Sequence, residues 1–278
     1  MMTDKKAQIG IFGGSGFYSL FDNADPLRPS SSEAREIEMD TPYGKPSDKI
    51  TIGEIAGRKV AFLPRHGRGH KFAPHTIPYK ANLWAFKELG VEKIIAPTAA
   101  GSLQSNIKPG EFVICDQFVD RTHGRAATFH DGPKVLHVSC ADPYCSEMRK
   151  LAIDSCRRLQ IPVHEKGAVV VVEGPRFSTK AESRWYQQAG FEVINMTQYP
   201  EAALARELAM CYTNISLITD FDAGLIGSDG IKAVDAKEVV DVFNKNISKV
   251  KELILEMVKN MPDERVCECK NSLANAGM

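Results

Sequence analysis

Short apolar runs rich in β-branched residues recur along the whole chain, and segments with a helical period separate them. The apolar runs cover residues 8–12, 59–64, 93–97, 111–116, 167–172, 192–196 and 214–219. The segments with a helical period cover residues 76–89, 146–159, 181–188 and 201–210. Short continuous apolar runs are typical of strands buried on both faces of a sheet. Their alternation with helices predicts an α/β fold in which helices cover both faces of a mostly parallel sheet.

A long amphipathic helix is predicted near the C-terminus. Its apolar face continues for about six turns and is formed by Val239, Val240, Phe243, Ile247, Val250, Leu253, Ile254 and Met257. Asp235 and Glu238 have the spacing of a capping box at its start. The helical period ends after Asn260, and no linker interrupts the residues before it. We therefore interpret residues 1–260 as one domain and residues 261–278 as a tail or docking arm.

The charge pattern argues against nucleic-acid and membrane partners. Lysine plus arginine equal aspartate plus glutamate at 35 each, and no local basic stripe is present. A nucleic-acid-binding surface needs such a stripe. The N-terminal segment contains an apolar run of about five residues, which is too short for a signal peptide or a membrane span. A cytoplasmic enzyme is expected.

The cysteine spacing predicts no metal site. Seven cysteines are present, at positions 115, 140, 145, 156, 211, 267 and 269, without a CxxC pair or a histidine at metal-ligand spacing. A disulfide between Cys267 and Cys269 would be strained and easily reduced. The two residues are therefore either thiols in a mobile tail or a disulfide pair, and the spacing leaves both open.

Candidate anion-binding loops follow three of the predicted strands. Ligands of open α/β sheets bind beyond the carboxyl ends of the strands. The Gly13-Gly14-Ser15-Gly16 segment could present backbone N–H groups and a hydroxyl to an anion, or could be a plain tight turn. The segment 64–70, with Arg65 and His66, offers forked donors for phosphate or is a solvated basic loop. Residues 96–102, with Thr98, could bind the same anion or form a turn.

Two further loops carry a candidate aromatic platform and a candidate acid pair. Phe177, in the segment 173–178, could stack on a base, although a phenylalanine is more often part of the core. Asp220 and Asp222 follow a buried strand, which indicates a cation site or a carboxyl whose pKa is raised for proton donation. The residues that follow directly, 223–226, offer no further oxygen ligand, so proton donation or recognition of a base edge is favoured over a metal.

Six motifs in order give the chain a family resemblance. The segments GGSG, RHGRGH, TAAGSL, EGPRFST, INMTQYPEA and TDFD resemble those of the trimeric purine nucleoside phosphorylases, most closely their methylthioadenosine phosphorylase branch. The resemblance extends from Ile9 to about Ile254. It implies a three-layer sandwich with a central mixed, largely parallel twisted sheet. It also implies a pentosyltransferase of purine salvage, with phosphate as co-substrate and no metal or organic cofactor.

The resemblance assigns roles to most of these loop residues. It implies that phosphate is bound by Ser15, Arg65, His66, Thr98, Ala99 and Thr197. It places Phe177 and Ser178 near the purine, and the segment 195–197, with Met196, against the ribose and phosphate. Asp220 would face N7 of the purine and Asp222 its exocyclic group. Burial beside Asp222 is expected to raise the pKa of Asp220, with one proton shared by the pair.

The resemblance also implies a pocket for the 5′ substituent that two subunits share. His137 matches a family residue that contributes to the site of a neighbouring subunit. This match implies a homotrimer or a dimer of trimers. Val239 and Val240 correspond to the wall that accepts an apolar 5′-methylthio group. The stretch 224–230 is longer and richer in glycine than its family counterpart, and this departure bears on the same pocket. The Cys267 and Cys269 pair resembles the CxC tails of some heat-stable members, in which the cysteines form disulfides.

The expected reaction is phosphorolysis of S-methyl-5′-thioadenosine to adenine and 5-methylthioribose 1-phosphate. An aspartate that faces the exocyclic group accepts a hydrogen bond from a 6-amino group, which favours adenine nucleosides. A phosphorylase for inosine, guanosine or methylthioinosine is the nearest alternative. A phosphate-independent nucleoside hydrolase and a non-catalytic nucleotide-binding module are the others.

Overall fold

The computed structural model describes residues 7–14, 17, 34–225 and 233–277. Within these residues, eleven strands form one sheet. The strands are β1 (Ile9–Gly13), β2 (Arg35–Ile37), β3 (Ile50–Ile55), β4 (Arg58–Pro64), β5 (Lys93–Ser102), β6 (Phe112–Val113), β7 (Gln117–Arg121), β8 (Val163–His164), β9 (Ala168–Val172), β10 (Val193–Asn195) and β11 (Cys211–Asp220).

The sheet is centred on the long strand β5. The main strand order is β2-β3-β4-β1-β5-β10-β9-β7, and β11 pairs with β5 and β6. Strands β4, β1, β5 and β11 are parallel, so their carboxyl ends lie at one edge of the sheet. Strand β10 is antiparallel to β5 and runs back along its end. The loop after β10 therefore returns to the middle of β5, at the same edge as the other four loops.

Helices cover both faces of this sheet. They are α1 (Tyr79–Glu88), α2 (Ser146–Arg158), α3 (Lys180–Gln188), α4 (Gln198–Glu207) and α5 (Ala236–Lys259). Successive strand residues point to opposite faces. Accordingly Phe12 packs in one buried cluster with Leu83 of α1, whereas Ile11 packs in a second cluster with Met257 of α5. The fold is the expected three-layer α/β sandwich with a mixed, largely parallel sheet. Of the described helices, none is long and apolar enough to cross a membrane.

Each predicted strand and helix overlaps an observed one, but four strands had not been predicted. Strands β2 and β3 form an edge with β4, where the residues are partly exposed and Gly53 interrupts the apolar pattern. Strand β7 is mostly polar and exposed, and β8 has only two residues. The strand predicted at residues 111–116 is shorter than expected and covers only Phe112–Val113. At the start of α5, the Asp235 side chain accepts the Glu238 N–H at 2.8 Å, as its capping role requires.

The C-terminal tail packs against the rest of the molecule. Met261, Cys267, Cys269 and Ala276 are all buried, and a short 3₁₀ helix covers Glu268–Asn271. The Ala276 carbonyl accepts the His137 N–H at 2.7 Å. Of the two alternatives for Cys267 and Cys269, the structure has the free thiols and not the disulfide, and these thiols lie in a packed segment rather than a mobile tail.

Candidate active site

A cavity of about 680 Å³ lies at the carboxyl edge of the parallel strands. Most of the residues predicted for the site line it: Arg65, His66, Thr98, Ala99, Phe177, Ser178, Met196, Thr197, Asp220, Asp222, Val239 and Val240. Ser15 lies outside the described residues, as do residues 226–232 of the glycine-rich stretch. We call the part of the cavity around Arg65, His66 and Thr98 the anion end, and the part around Ser178, Asp220 and Asp222 the base end.

Arg65 is held at the anion end by a buried ion pair. Its Nε and Nη2 donate to the two carboxylate oxygens of Glu201, at 2.7 and 2.9 Å, and its Nη1 donates to the Pro97 carbonyl at 3.1 Å. The Tyr212 hydroxyl also donates to Glu201, at 2.7 Å. Glu201 raises the pKa of Arg65 against the opposing effect of burial. The guanidinium is therefore charged and fixed in orientation before any ligand arrives.

Thr98 is oriented as a hydrogen-bond donor. Its Oγ1 accepts the side-chain amides of Asn214 and Asn195, at 3.1 and 3.4 Å. A hydroxyl oxygen has two acceptor positions and one proton. Since both acceptor positions are used, the O–H of Thr98 is available to donate to a ligand oxygen.

His66 is a neutral imidazole at the same end. Desolvation by burial, with the nearby charge of Arg65, lowers the pKa of His66 to about 3. Its Nδ1 lies 2.9 Å from the Phe72 carbonyl, so Nδ1 carries the proton and donates it. The His70 ring stacks on it at 4.3 Å between centroids. The remaining nitrogen, Nε2, is therefore an acceptor, suited to a protonated phosphate oxygen.

Close backbone approach at the anion end requires small residues. A Cβ at Gly14 would lie 3.1 Å from the Pro97 carbonyl oxygen and 3.7 Å from Arg65 Nη1. The Arg65 N–H donates to the Gly13 carbonyl at 2.8 Å. The loop that follows β1 thus begins directly beside the guanidinium.

The two acids of the base end are coupled through the backbone. Asp220 Oδ2 accepts the Thr219 hydroxyl and Oδ1 accepts the Asp222 N–H, both at 2.7 Å. A Cβ at Gly101 would lie 2.8 Å from Asp220 Oδ1, so only glycine fits on the neighbouring strand. No direct hydrogen bond joins the two carboxyl groups in the described part of the chain. A proton shared by the two carboxyl groups was expected. In the structure, the two residues are instead connected by the hydrogen bond from the Asp222 N–H to Asp220 Oδ1.

Burial makes both carboxyl groups weak acids. Desolvation, with the charge of Asp222, raises the pKa of Asp220 to about 6 despite its two hydrogen bonds. Desolvation by burial also raises the pKa of Asp222. At pH 7 about one-tenth of Asp220 therefore retains its proton, compared with about one in a thousand for an ordinary aspartate.

Three polar atoms that line the cavity have no hydrogen-bond partner among the described residues. They are Ser178 Oγ, Asn195 Oδ1 and Asp222 Oδ2, and each is buried. A buried polar atom without a partner costs about 1 to 3 kcal/mol. Atoms of this kind are rare in folded proteins, and their grouping in one cavity indicates a polar ligand that would bind them.

An aromatic ring and an apolar helix face complete the cavity. Phe177 is 37% exposed and is therefore available for contact with a ligand, unlike a core phenylalanine. Val239 and Val240 of α5 also line the cavity, and Val240 is 45% exposed. The cavity thus combines a fixed cation, a weak acid and apolar surface.

Comparison with known proteins identifies the family. The sequence model of the phosphorylase superfamily matches residues 8–259. The chain belongs to the phosphorylase superfamily. An S-methyl-5′-thioadenosine phosphorylase of Thermofilum pendens is 50% identical over 272 residues, which are 98% of this chain and 99% of the relative. These findings confirm the family resemblance predicted from the motifs.

Two further relatives of the chain carry different names. A purine nucleoside phosphorylase of Streptomyces coelicolor is 45% identical over 283 residues, covering 98% of this chain and 96% of the relative. The crystal structure of a methylthioadenosine phosphorylase from an antarctic soil metagenomic library has a TM-score of 0.89 and 39% identity, covering 99% of this chain and 93% of that one.

In this phosphorylase, one predicted residue does not line the cavity of its own chain. His137 is exposed and is absent from the residues around the cavity. The antiparallel bridge between Leu136 and Gly277 holds its segment. A role for His137 therefore needs a second subunit.

Sequence reasoning missed the residues that support the predicted ones. Glu201 is fully buried and pairs with Arg65 from 136 positions away. Asn214 lies inside β11 and reads as part of an apolar strand. Glu201 lies in the first turn of α4, where a glutamate is common. The available signal was that this acid belongs to the buried, otherwise apolar face of the helix.

Proposed function

We propose that this phosphorylase cleaves S-methyl-5′-thioadenosine with inorganic phosphate, releasing adenine and 5-methylthioribose 1-phosphate. The observation that carries the proposal is one cavity that holds a fixed arginine at its anion end and an aspartate with a pKa of about 6 at its base end. Phosphorolysis of an N-glycosidic bond needs both groups, because a phosphate must be positioned and a leaving base must be protonated.

Phosphate binds at the anion end. Three of the five N–H groups of Arg65 bind described residues, which leaves two for phosphate oxygens. The O–H of Thr98 donates to a third oxygen, and Nε2 of His66 accepts from a protonated one. Backbone N–H groups at Ala99 and Thr197, with Ser15, complete the expected set. Phosphate is a co-substrate here, and the proposed reaction needs no organic cofactor.

The sugar lies between the two ends. Thr98 pairs with Ser216 across β5 and β11, and Gly101 pairs with Asp220. Three residues along a strand span about 10 Å. This separation leaves room for a ribose whose C1′ faces the phosphate while its base reaches Asp220. Asn195 and Met196 line the cavity and would contact the ribose.

Asp220 is the proton donor for the purine. Cleavage leaves negative charge on the departing base, and a proton delivered to N7 neutralises it. A carboxyl with a pKa of about 6 holds a proton near neutral pH and still releases it readily. The Asp222 N–H and the Thr219 hydroxyl then stabilise the carboxylate that forms.

Asp222 and Ser178 recognise the edge of the base, and Phe177 lies against its face. Asp222 Oδ2 is a buried acceptor without a partner among the residues that the structure describes, which suits the 6-amino group of adenine. Val239 and Val240 form the apolar wall for a 5′-methylthio group. His137 of a neighbouring subunit closes this pocket in a homotrimer or a dimer of trimers. A cytoplasmic location is part of the same proposal.

A second candidate function is phosphorolysis of 6-oxopurine nucleosides. Burial raises the pKa of Asp222, and a protonated Asp222 would donate to a 6-oxo group. The Streptomyces coelicolor relative, named a purine nucleoside phosphorylase, also favours this candidate.

The test is release of free base from methylthioadenosine, adenosine and inosine, each with and without phosphate. We expect phosphate-dependent release that is fastest from methylthioadenosine. Faster release from inosine would favour the second candidate. Cleavage without phosphate would indicate a hydrolase. Unchanged activity in Asp220→Ala would leave only a recognition role for the acid pair.

A further inference from the structure

Four of the seven cysteines come together at one buried point in the fold, although they belong to separate segments of the sequence. Their Sγ atoms all lie within 4.8 Å of one another. We call them the four-cysteine cluster: Cys145, Cys211, Cys267 and Cys269. Cys145 immediately precedes α2, Cys211 is the first residue of β11, and the other two belong to the tail. Because three separate segments contribute, no spacing in the sequence could have shown the cluster.

The cluster has the size of a tetrahedral metal site. Zn–S bonds of about 2.3 Å give a sulfur tetrahedron with edges of about 3.8 Å, which falls within the observed limit of 4.8 Å. The sulfurs of Cys211 and Cys267 are 3.3 Å apart, well beyond the about 2.0 Å of a disulfide. All seven cysteines have free side chains.

Backbone N–H groups point at the sulfurs of the cluster. The Met148 N–H hydrogen bonds to the sulfur of Cys145, and the Cys269 N–H hydrogen bonds to the sulfur of Cys267. Backbone N–H groups in these positions can donate to the sulfur of a metal-bound cysteine. Cys145 also lies at the N-terminus of the thirteen-residue α2, where the helix dipole stabilises negative charge.

We propose that the four-cysteine cluster binds one Zn²⁺ ion and so fastens the C-terminal tail to the sheet. Four sulfur ligands without an oxygen ligand select zinc over magnesium or calcium. Binding replaces four S–H protons by four Zn–S bonds and releases the protons to solvent, with no change of oxidation state. Two disulfides are the competing arrangement, but they would join the sulfurs in two separate pairs and would need an oxidant.

The site would also fix the segment that carries His137. The tail continues from Cys269 to Ala276, whose carbonyl accepts the His137 N–H at 2.7 Å. The bridge between Leu136 and Gly277 adds a second connection. Anchoring the tail at its cysteines therefore stabilises the exposed segment proposed to reach a neighbouring subunit. This consequence rests on the proposed function, whereas the zinc site itself does not.

The test is the metal content of the full-length protein. It is purified without a metal-affinity column, under nitrogen and with a thiol-free reductant, and zinc and iron are measured by mass spectrometry. We expect about one zinc per chain. The Cys267→Ser/Cys269→Ser double variant should lose the zinc. The Cys140→Ser/Cys156→Ala variant, which changes two cysteines outside the cluster, should retain it.

A second measurement keeps the proposal testable if the double variant does not fold. The zinc of the wild-type protein is removed with a chelator and replaced by Co²⁺, and the absorption of cobalt bound to thiolates is recorded. A tetrahedral thiolate spectrum at one equivalent of Co²⁺ supports the site. The proposal is overturned by metal-free protein that gives no such spectrum or by stoichiometric iron in place of zinc. It is also overturned if four thiols are missing in a separate sample that is purified without reductant and then denatured.

Discussion

The anion end and the base end of the cavity are both buried and polar, but they differ in how their polar atoms are satisfied. At the anion end, Arg65 is paired with Glu201 and Thr98 accepts two side-chain amides. At the base end, Ser178 Oγ and Asp222 Oδ2 have no partner in the described residues. Apart from Asn195 Oδ1, which also has no partner there although its amide donates to Thr98, the anion end is therefore ordered by the protein itself, whereas the base end is completed by the ligand.

Desolvation acts on both ends and gives opposite pKa shifts. It raises the pKa of Asp220 to about 6 and lowers the pKa of His66 to about 3. Both residues are driven towards their neutral forms, and Arg65 keeps its charge because Glu201 balances it. Changes at the anion end should therefore cost folding stability, and changes at the base end should alter the reaction or the choice of substrate.

The largest effect is expected from Asp220→Asn at the base end. An amide cannot release the proton that the base needs, so kcat should fall by about 10² to 10⁴ fold, with little loss of stability. In the wild type, kcat/KM should fall as pH rises through about 6, because Asp220 then loses its proton. The variant should lose that part of the pH profile.

The control for this variant is Asp241→Asn. It makes the same chemical change at an exposed aspartate of α5 that does not line the cavity. The Asp241→Asn variant is expected to have wild-type activity. Nearly full activity in Asp220→Asn would mean that proton donation comes from another group.

At the anion end, Glu201→Gln tests whether the protein orders Arg65. Removal of one partner of a buried ion pair costs about 3 to 5 kcal/mol, because the other charge remains buried. Urea unfolding should show this loss, together with weaker phosphate binding. Glu165→Gln, at a surface pair with Arg157, should cost less than about 1 kcal/mol. Equal losses in the two variants would contradict the comparison.

Asp222→Asn should change substrate choice more than stability. An asparagine can donate to a 6-oxo group, whereas an ionised aspartate only accepts. The ratio of kcat/KM for adenosine over inosine should fall by about 10 to 100 fold. An unchanged ratio would show that Asp222 does not contact the exocyclic group.

The topology of the sheet explains why residues that the sequence singled out line one cavity. Loops after parallel strands converge at one edge, so the residues in those loops could be placed before the structure was known. Asp220 is the last residue of β11 and Thr98 lies within β5, and the pairing of these strands brings both to the cavity. The same rule located Arg65 and His66.

Partners from distant segments could not be predicted in this way. The Glu201 carboxylate and the Asn214 amide act on predicted residues across the core, and their burial is a property of the packed fold. The four-cysteine cluster was missed for the same reason, since its metal-ligand geometry comes from three segments. Sequence spacing reveals sites within one segment, and contacts between segments require the fold.

The smallest effect is expected at the apolar wall. Val239→Thr replaces a methyl group by a hydroxyl at nearly constant volume, so it should lower the preference for methylthioadenosine over adenosine by less than about tenfold. Val242→Thr, the same exchange on α5 away from the cavity, should leave the preference unchanged. Ratios of kcat/KM for the two nucleosides measure both. A change in kcat common to both nucleosides would mean that α5 also positions the base end. The distinction between an anion end ordered by the protein and a base end completed by the ligand would then no longer hold.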